Sequence, residues 1–328
     1  MTLPVLINPG GGSAGNDAAD RVRAALDRAG IAAAIELVPG PKLAARATEL
    51  AAGGARIIVA AGGDGTLSTV GGALAGTDCA LGILPLGTLN HLARDLGISF
   101  DLDQAAAILA AGHRRRIDVA EVNGRSFVNN SAIGLYPLMV ADRDGQQQRL
   151  GRSKKAAMLI AGLRTLITFH HHRLSLTIND GEHAMIDTPL LFVGNNIYRR
   201  TMPRTGYRDR LDDGRLSVTV ARKAGRLGLA RAMLASLFGR SSPDQLIELD
   251  NVTSLRVASR RSHLTVSCDG ETVQLAPPLD YRIRPKALLV IGPASSLTPA
   301  ASRVRARRAS STASRRSPTR SARRSPQG

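Results

Sequence analysis

Residues 62–66, GGDGT, combine glycine backbone with a single carboxylate. They follow the run RIIVAA (56–61) and precede LSTV, so they sit where a strand turns into a helix. Glycine-rich turns at that place aim backbone N–H groups and the positive helix end at anions, phosphate above all. Asp64 opposes a bare phosphate by like charge. A divalent cation between them removes the conflict, so the motif points to a nucleotide bound with Mg2+ rather than to a phosphate cradle alone. A second turn, NPGGGSAG (8–15), lacks the Lys-Ser or Lys-Thr of a P-loop and departs from the dinucleotide fingerprint; by itself it reads equally well as a structural turn. A third stretch, LPLGTLNHLARDLGI (84–98), reads as a turn and an amphipathic helix capped by Thr88 or Asn90. That accounts for Leu92, Leu96 and Ile98 but not for PLGT ahead of them.

Asp-Gly-Glu occurs twice, at 180–182 and 269–271, each time between alternating apolar and polar residues. Asp-Gly is the usual hairpin turn, so either copy alone is explained as a turn. FHHHR (169–173) sets three histidines side by side at a strand start. Neighbouring strand residues face opposite ways, so these do not converge on one metal, and a solvated junction is expected. DRDGQQQRLGRSKK (142–155) reads as a polar loop.

The elements that position these residues alternate at first. LPVLIN, AAAIELV, RIIVAA and ALGILPL read as strands, RIIVAA being continuous and so buried on both faces of a parallel sheet. NDAADRVRAALDRAG and PKLAARATELAAGG read as helices between them, the second with Pro at its start and Gly at its end. Further helices are expected from about Thr66, from about Thr88 and over 101–112. After about Arg116 the period changes to short alternating strands, beginning with a hairpin at Asn123–Gly124 and interrupted by helical patterns at 153–168 and 225–239. The expected architecture is α/β plus all-β. A doubly wound α/β nucleotide-binding domain (1–116) carries its ligand site off the carboxyl ends of the strands. A mostly antiparallel β-sandwich domain (117–293) follows, and then a disordered Arg/Ser-rich tail (294–328).

The bulk composition agrees. A length of 328 residues suffices for two cores, and 43% hydrophobic residues with 3% aromatic makes those cores aliphatic. Two cysteines, Cys79 and Cys268, form no disulfide framework and suggest a reducing compartment. The first residues resemble no signal peptide, and AAMLIAGL (156–163) is too short to span a bilayer. The net charge is +18, of which nine arginines without an acid fall after residue 300, leaving +9 for the rest. Such charge draws nucleic acid, anionic lipid or nucleotide without choosing among them.

GGDGT, PLGTLNHLARDLGI about twenty residues later and the early Asn-Pro-glycine loop together resemble the diacylglycerol kinase catalytic-domain family of bacterial lipid kinases, related to sphingosine kinases and more distantly to NAD kinases. LDDGRLSV (211–218) and CDGETVQLAPPLDYRIRPKALLVIGP (268–293) extend the resemblance over nearly all of residues 3–293. It implies ATP held by Asn8, by Gly62, Gly63, Asp64, Gly65, Thr66, Leu67 and Ser68, and by Thr88. It implies that Glu271 in the second Asp-Gly-Glu is the general base with Asp269 as its partner, and that Asp180 and Glu182 form a surface turn. It also implies a structural Mg2+ on the Asp213 carboxylate and the carbonyls of Arg210 and Arg215. Two departures stand out: His91 replaces the commoner aspartate after Asn90, and the first loop differs from the usual Asn-Pro-x-Ser-Gly.

The leading expectation is an ATP- and Mg2+-dependent kinase of a diacylglycerol-like lipid, cytoplasmic and peripherally bound to an anionic membrane, with a homodimer as a further partner. A kinase of NAD or another soluble alcohol is the alternative. Nucleic acid binding through the basic tail is a third reading, without sequence preference because stacking aromatics are scarce.

Overall fold

A computed structural model of the chain describes residues 2–10, 17–134, 171–198, 207–222 and 246–294. The expected helices at 153–168 and 225–239, the loop 142–155, Phe169 and His170 of FHHHR, and the Arg-rich tail beyond Ala294 lie outside the described residues.

The first half runs β1 (Leu3–Ile7), α1 (Ala18–Arg28), β2 (Ala33–Leu37), α2 (Gly40–Ala52), β3 (Ile57–Gly62), α3 (Asp64–Leu74), β4 (Ala80–Pro85), α4 (His91–Asp95) and α5 (Leu102–Ala111). In α1, Val22, Ala25 and Leu26 recur at helical spacing and are buried, with Asp20 in the first turn and Arg28 in the last, each sign matching the helix dipole. Helix α5 begins where the Asp101 carboxylate accepts from Gln104 N (3.0 Å), and ends at Gly112 in the left-handed conformation (φ 69°). The strands lie parallel in the order β2-β1-β3-β4. Chain direction along the sheet reverses after β2, so right-handed crossovers put α1 on one face and α2 and α3 on the other. Accordingly α1 packs on α5 and α2 on α3.

Two helix starts differ from the sequence expectation. α3 begins at Asp64 rather than near Thr66, because Gly63 is extended and Asp64 gains from standing in the first helical turn. α4 begins at His91 rather than near Thr88, because buried Asn90 is left-handed (φ 45°) and folds its amide back on Gly87, accepting from its N (3.0 Å) and donating to its O (2.7 Å). The side chain satisfies backbone groups that a helix starting at Thr88 would have used.

The second half is nearly all strand: β5 (Arg114–Val122), β6 (Arg125–Phe127), β7 (Asn130–Gly134), β8 (His172–Ile178), β9 (Glu182–Thr188), β10 (Leu190–Asn195), β11 (Leu216–Ala221), β12 (Leu246–Val252), β13 (Ser254–Ala258), β14 (Leu264–Cys268), β15 (Glu271–Leu275) and β16 (Leu279–Ile291). Six of them form an antiparallel sheet in the order β12-β11-β10-β7-β14-β15. The others extend the first sheet beyond β4 through β16, β13, β8 and β9, with β5 and β6 alongside, to ten strands in all. The second core lies between these sheets, drawing Leu174, Leu255 and Tyr281 from one and Ile133, Val193 and Val266 from the other. Phe127 meets Tyr281 edge to face at 6.3 Å, and the buried Tyr281 hydroxyl finds Ser131 Oγ at 3.2 Å.

β16 belongs to both halves. It pairs parallel with β4 at Val290–Leu81 and antiparallel with β5 along most of its length. The β5 register shifts between Arg284 and Leu288, where Lys286 is left-handed (φ 51°) and donates its N to Asp118 Oδ1 (2.7 Å).

Gly63 and Gly87 set the spacing of the two glycine-bearing loops: a Cβ on Gly87 would fall 2.5 Å from Gly63 Cα and 2.5 Å from Asn90 Oδ1. Backbone is met on one side and an already paired amide on the other. Gly87→Ala is therefore predicted to lower stability by about 1–3 kcal/mol in urea unfolding; an unchanged midpoint would contradict this packing.

Candidate active site

β1 and β3 are neighbours although β2 follows β1 in sequence, so their carboxyl ends flank the point where strand order reverses, the usual ligand crevice of such sheets. Asn8 leaves β1 there, its Oδ1 accepting from Gly10 N (3.0 Å). Gly62 and Gly63 leave β3, and Thr66, Leu67 and Ser68 are buried in the first turns of α3. Leu67 is part of the core, so only its backbone faces a ligand. The Gly63–Gly87 contact brings Thr88 and its loop to the same edge. The amides in the first turn of α3 have no partners within the helix and suit phosphate oxygens.

Asp64 is half-buried, and its Oδ1 accepts from Leu92 N (3.4 Å) and Asn129 Nδ2 (3.5 Å). His91 lies beside it. Burial lowers the His91 pKa, against the opposing pull of the Asp64 charge, so the ring is neutral near pH 7. Asn129 leads on to Arg208, a residue the sequence reading does not single out. Their side chains join through Arg208 Nη2 and Asn129 Oδ1 at 2.9 Å, and Arg208 Nε pairs with Asp95 Oδ2 at 2.8 Å. The Arg208 and Asp95 side chains are both buried.

The two Asp-Gly-Glu copies share a turn and differ in surroundings. Asp180 and Asp269 are both left-handed (φ 58° and 49°), each in a hairpin. The first copy is an exposed turn between β8 and β9, at the far edge of the large sheet. The second, between β14 and β15, rests on α3. Asp269 accepts from the Ser68 hydroxyl, from Val128 N (2.7 Å) and from Asn129 N and Asn130 N (2.8 and 2.9 Å). Desolvation pushes its pKa up, and the Ser68 hydroxyl and the three amides oppose this by favouring the ionised form. Glu271 is exposed, paired with Arg125 Nη2 at 2.9 Å, and its Oε1 would lie 3.5 Å from a Cβ on Gly65. Gly65, Ser68, Thr69, Arg125, Asp269 and Glu271 line a cleft of about 340 Å3.

The segment Arg210–Arg215 forms a separate loop. Asp213 N donates to Asn196 Oδ1 (2.9 Å), Gly214 N to Asp118 Oδ2 (2.7 Å), and Arg215 O accepts from Asn196 N (3.1 Å). Asp118, also missed in the sequence, is fully buried; desolvation raises its pKa, and the charges of Asp212 and Asp213 add to that. Arg210 Nε lies 3.1 Å from Asp212 Oδ1 and 3.4 Å from Asp213 Oδ1, so a hard cation held by the Asp213 carboxylate, loop carbonyls and water would take the place of that arginine contact. Among the described residues no cluster of three or more His, Cys, Asp or Glu has ligand geometry, so such an ion would depend on the carbonyls.

Asp269 ties α3 to the segment 128–130, and its removal strands three amides. Asp269→Ala is predicted to cost about 2–4 kcal/mol in chemical unfolding, and Asp269→Asn, which keeps one acceptor oxygen, distinctly less. Equal losses in the two variants would contradict the role of the carboxylate as acceptor.

Residues 2–122 match the diacylglycerol kinase catalytic domain, and residues 139–292 the YegS C-terminal NAD kinase beta sandwich-like domain. The protein named "Probable lipid kinase YegS-like" in Pseudomonas aeruginosa is 31% identical over 303 residues, covering 89% of this chain and 95% of its own length. Its namesake in Pseudomonas syringae pv. tomato is 30% identical over 251 residues, 76% of this chain and 79% of that protein. In fold, the chain is similar to a diacylglycerol kinase from Bacillus anthracis (TM-score 0.64, 19% identity, 90% of this chain and 98% of the other). It is also similar to an NAD kinase from Archaeoglobus fulgidus solved with ATP (TM-score 0.51, 12% identity, 93% and 99%). The chain belongs to the family of YegS-like lipid kinases built on a diacylglycerol kinase catalytic domain.

Proposed function

We propose that the protein transfers the γ-phosphoryl group of ATP to the hydroxyl of a diacylglycerol-like lipid, with Mg2+, giving a phosphatidic-acid-type product. The observation that carries this reading is the docking of the second Asp-Gly-Glu hairpin on the GGDGT helix, through Ser68–Asp269 and the approach of Glu271 to Gly65. The identical tripeptide at 180–182 has no such neighbour among the described residues and serves as a control within the chain.

Transfer of a phosphoryl group needs positioning, charge neutralisation and a base more than covalent chemistry. The Asn8 loop, Gly62–Ser68 and Thr88 bind the nucleotide, chiefly through backbone amides. Asp64 faces the phosphates and would hold Mg2+ there; Asp213 with the carbonyls of Arg210 and Arg215 would hold a second, structural ion. Bound Mg2+ supplies charge neutralisation of the phosphates. Glu271 accepts the proton of the lipid hydroxyl as its oxygen bonds to the γ-phosphorus and the bond to the bridging oxygen of ADP breaks. Both members of the Arg125–Glu271 pair are half exposed, so the pair is weakly held and leaves the carboxylate available. Asp269, fixed by four donors, sets the hairpin that presents Glu271.

Two comparisons test the assignment, using γ-phosphate transfer from ATP to a panel of lipids and to NAD. Asp64→Asn and Glu271→Gln should each lower kcat by about 10²- to 10⁴-fold with the fold intact, whereas Glu182→Gln should change little. Loss of activity in Glu182→Gln with retention in Glu271→Gln overturns the choice of base, and phosphorylation of NAD alone overturns the choice of a lipid acceptor.

The acceptor resides in a bilayer, and no helix among the described residues is long and apolar enough to cross one. The nine arginines beyond residue 300 supply an electrostatic hold on an anionic surface, about 1 kcal/mol per basic residue and screened by salt. Deleting residues 294–328 should weaken binding to anionic vesicles at low salt and raise the apparent KM for vesicle lipid. It should leave kcat on detergent-dispersed lipid unchanged. Equal vesicle binding with and without the tail would show that the contact lies elsewhere.

A further inference from the structure

Arg208 has no part in the reaction outlined above, yet its side chain is fully enclosed beside the site. Its guanidinium donates to Asp95 Oδ2 (2.8 Å), Val128 O (2.6 Å), Asn195 O (3.1 Å) and Asn129 Oδ1 (2.9 Å). These acceptors belong to α4, to the segment ahead of β7 and to β10. The Tyr198 ring lies 5.3 Å from its central carbon. If the site needed only packing here, apolar side chains would serve as well as a buried ion pair. Apolar side chains cannot dictate the orientation of an amide.

Asn129 is where orientation matters. Its backbone is immobilised, its N donating to Asp269 Oδ1 (2.8 Å) and its O accepting from Asn195 N (2.8 Å) and the Tyr198 hydroxyl (2.9 Å). What is left to set is the rotation of the carboxamide, which presents an acceptor on one side and a donor on the other. Arginine only donates, so the side of Asn129 facing Arg208 must be Oδ1. The side facing Asp64 must then be Nδ2, 3.5 Å from Oδ1 of that carboxylate. A flipped amide would turn an oxygen on Asp64 and repel it.

We propose that Arg208 is a positioning residue: by fixing the carboxamide of Asn129 it holds the Asp64 carboxylate in its working orientation. The inference rests on the reading of Asp64 as the carboxylate that faces the nucleotide. Val128 and Asn129 also bond to Asp269, so the same cation aligns the support of Glu271.

Removing Arg208 alone would leave buried Asp95 with only the longer contact of Arg94 Nε to its Oδ1 (3.4 Å) and destabilise the protein for an unrelated reason. The test therefore uses the neutral pair Asp95→Asn with Arg208→Met, the single variant Asn129→Ala, and their combination. The pair should melt near the wild type, lower kcat on lipid by about 10²-fold and leave the KM for lipid unchanged. In the Asn129→Ala background the same pair should have little further effect, because the relay has already been cut. Additive losses, or wild-type kcat in a folded pair variant, overturn the proposal. A second readout uses the ligand-free protein: the side-chain amide signals of Asn129 in a ¹⁵N NMR spectrum should shift and broaden in the pair variant. Should the wild type phosphorylate no lipid, the lipid kinase reading fails, and this spectrum still decides the present inference. Unchanged Asn129 amide signals overturn it.

Discussion

A carboxylate enclosed by protein must be surrounded by donors, and at Asp269 these come from segments remote in sequence. Three are successive amides of residues 128–130; the fourth is the hydroxyl of Ser68, 201 residues away. Meeting that need brings the β14–β15 turn, the segment ahead of β7 and the GGDGT helix to one place. The rest of the site is arranged around this junction. Asn129, whose amide serves Asp269, carries on its side chain the link between Asp64 and Arg208. Glu271 is two residues beyond the anchored aspartate and inherits its position. Turn geometry alone would not achieve this, because Asp180 adopts the same left-handed backbone and remains in an exposed turn.

Asp118 plays the corresponding part for the loop at 210–215. Its two oxygens are divided between Gly214 N in that loop and Lys286 N at the irregular point of β16. The strand defect and the loop are thus satisfied by one buried acid. Arg208 begins the chain segment that leads into the loop, so one short stretch of sequence is held at both ends by buried ionic groups.

What was legible in the sequence was local. The continuous apolar character of RIIVAA, the strand-to-helix glycines around Asp64 and the alternation after Arg116 all reflect interactions within a few residues, and they yield the strands and, among the described residues, the helices to within a few residues of their starts. Asn90 shows where local reading stops: it stands at the N-cap position of α4, one of the two expected, but its amide closes on Gly87 instead of capping the helix. Asp118 and Arg208 were not legible. An acid in a strand and an arginine in a polar loop look unremarkable until partners 168 and 79 residues away are in place. The continuation of the first sheet through β16 escaped for the same reason, since register between distant strands leaves no periodic mark in either.

That shared strand also limits how the enzyme can move. Two lobes joined by linkers could swing apart about a hinge and close on a substrate like a jaw. Here β16 is hydrogen-bonded to β4 on the nucleotide side and to β5 and β13 on the sandwich side, so a swing of that kind would have to tear a ladder in the middle of a sheet. The shared strand therefore resists a swing of the lobes about a hinge. Entry and departure of ligands then fall to loops and side chains at the rim, the Arg125–Glu271 contact among them.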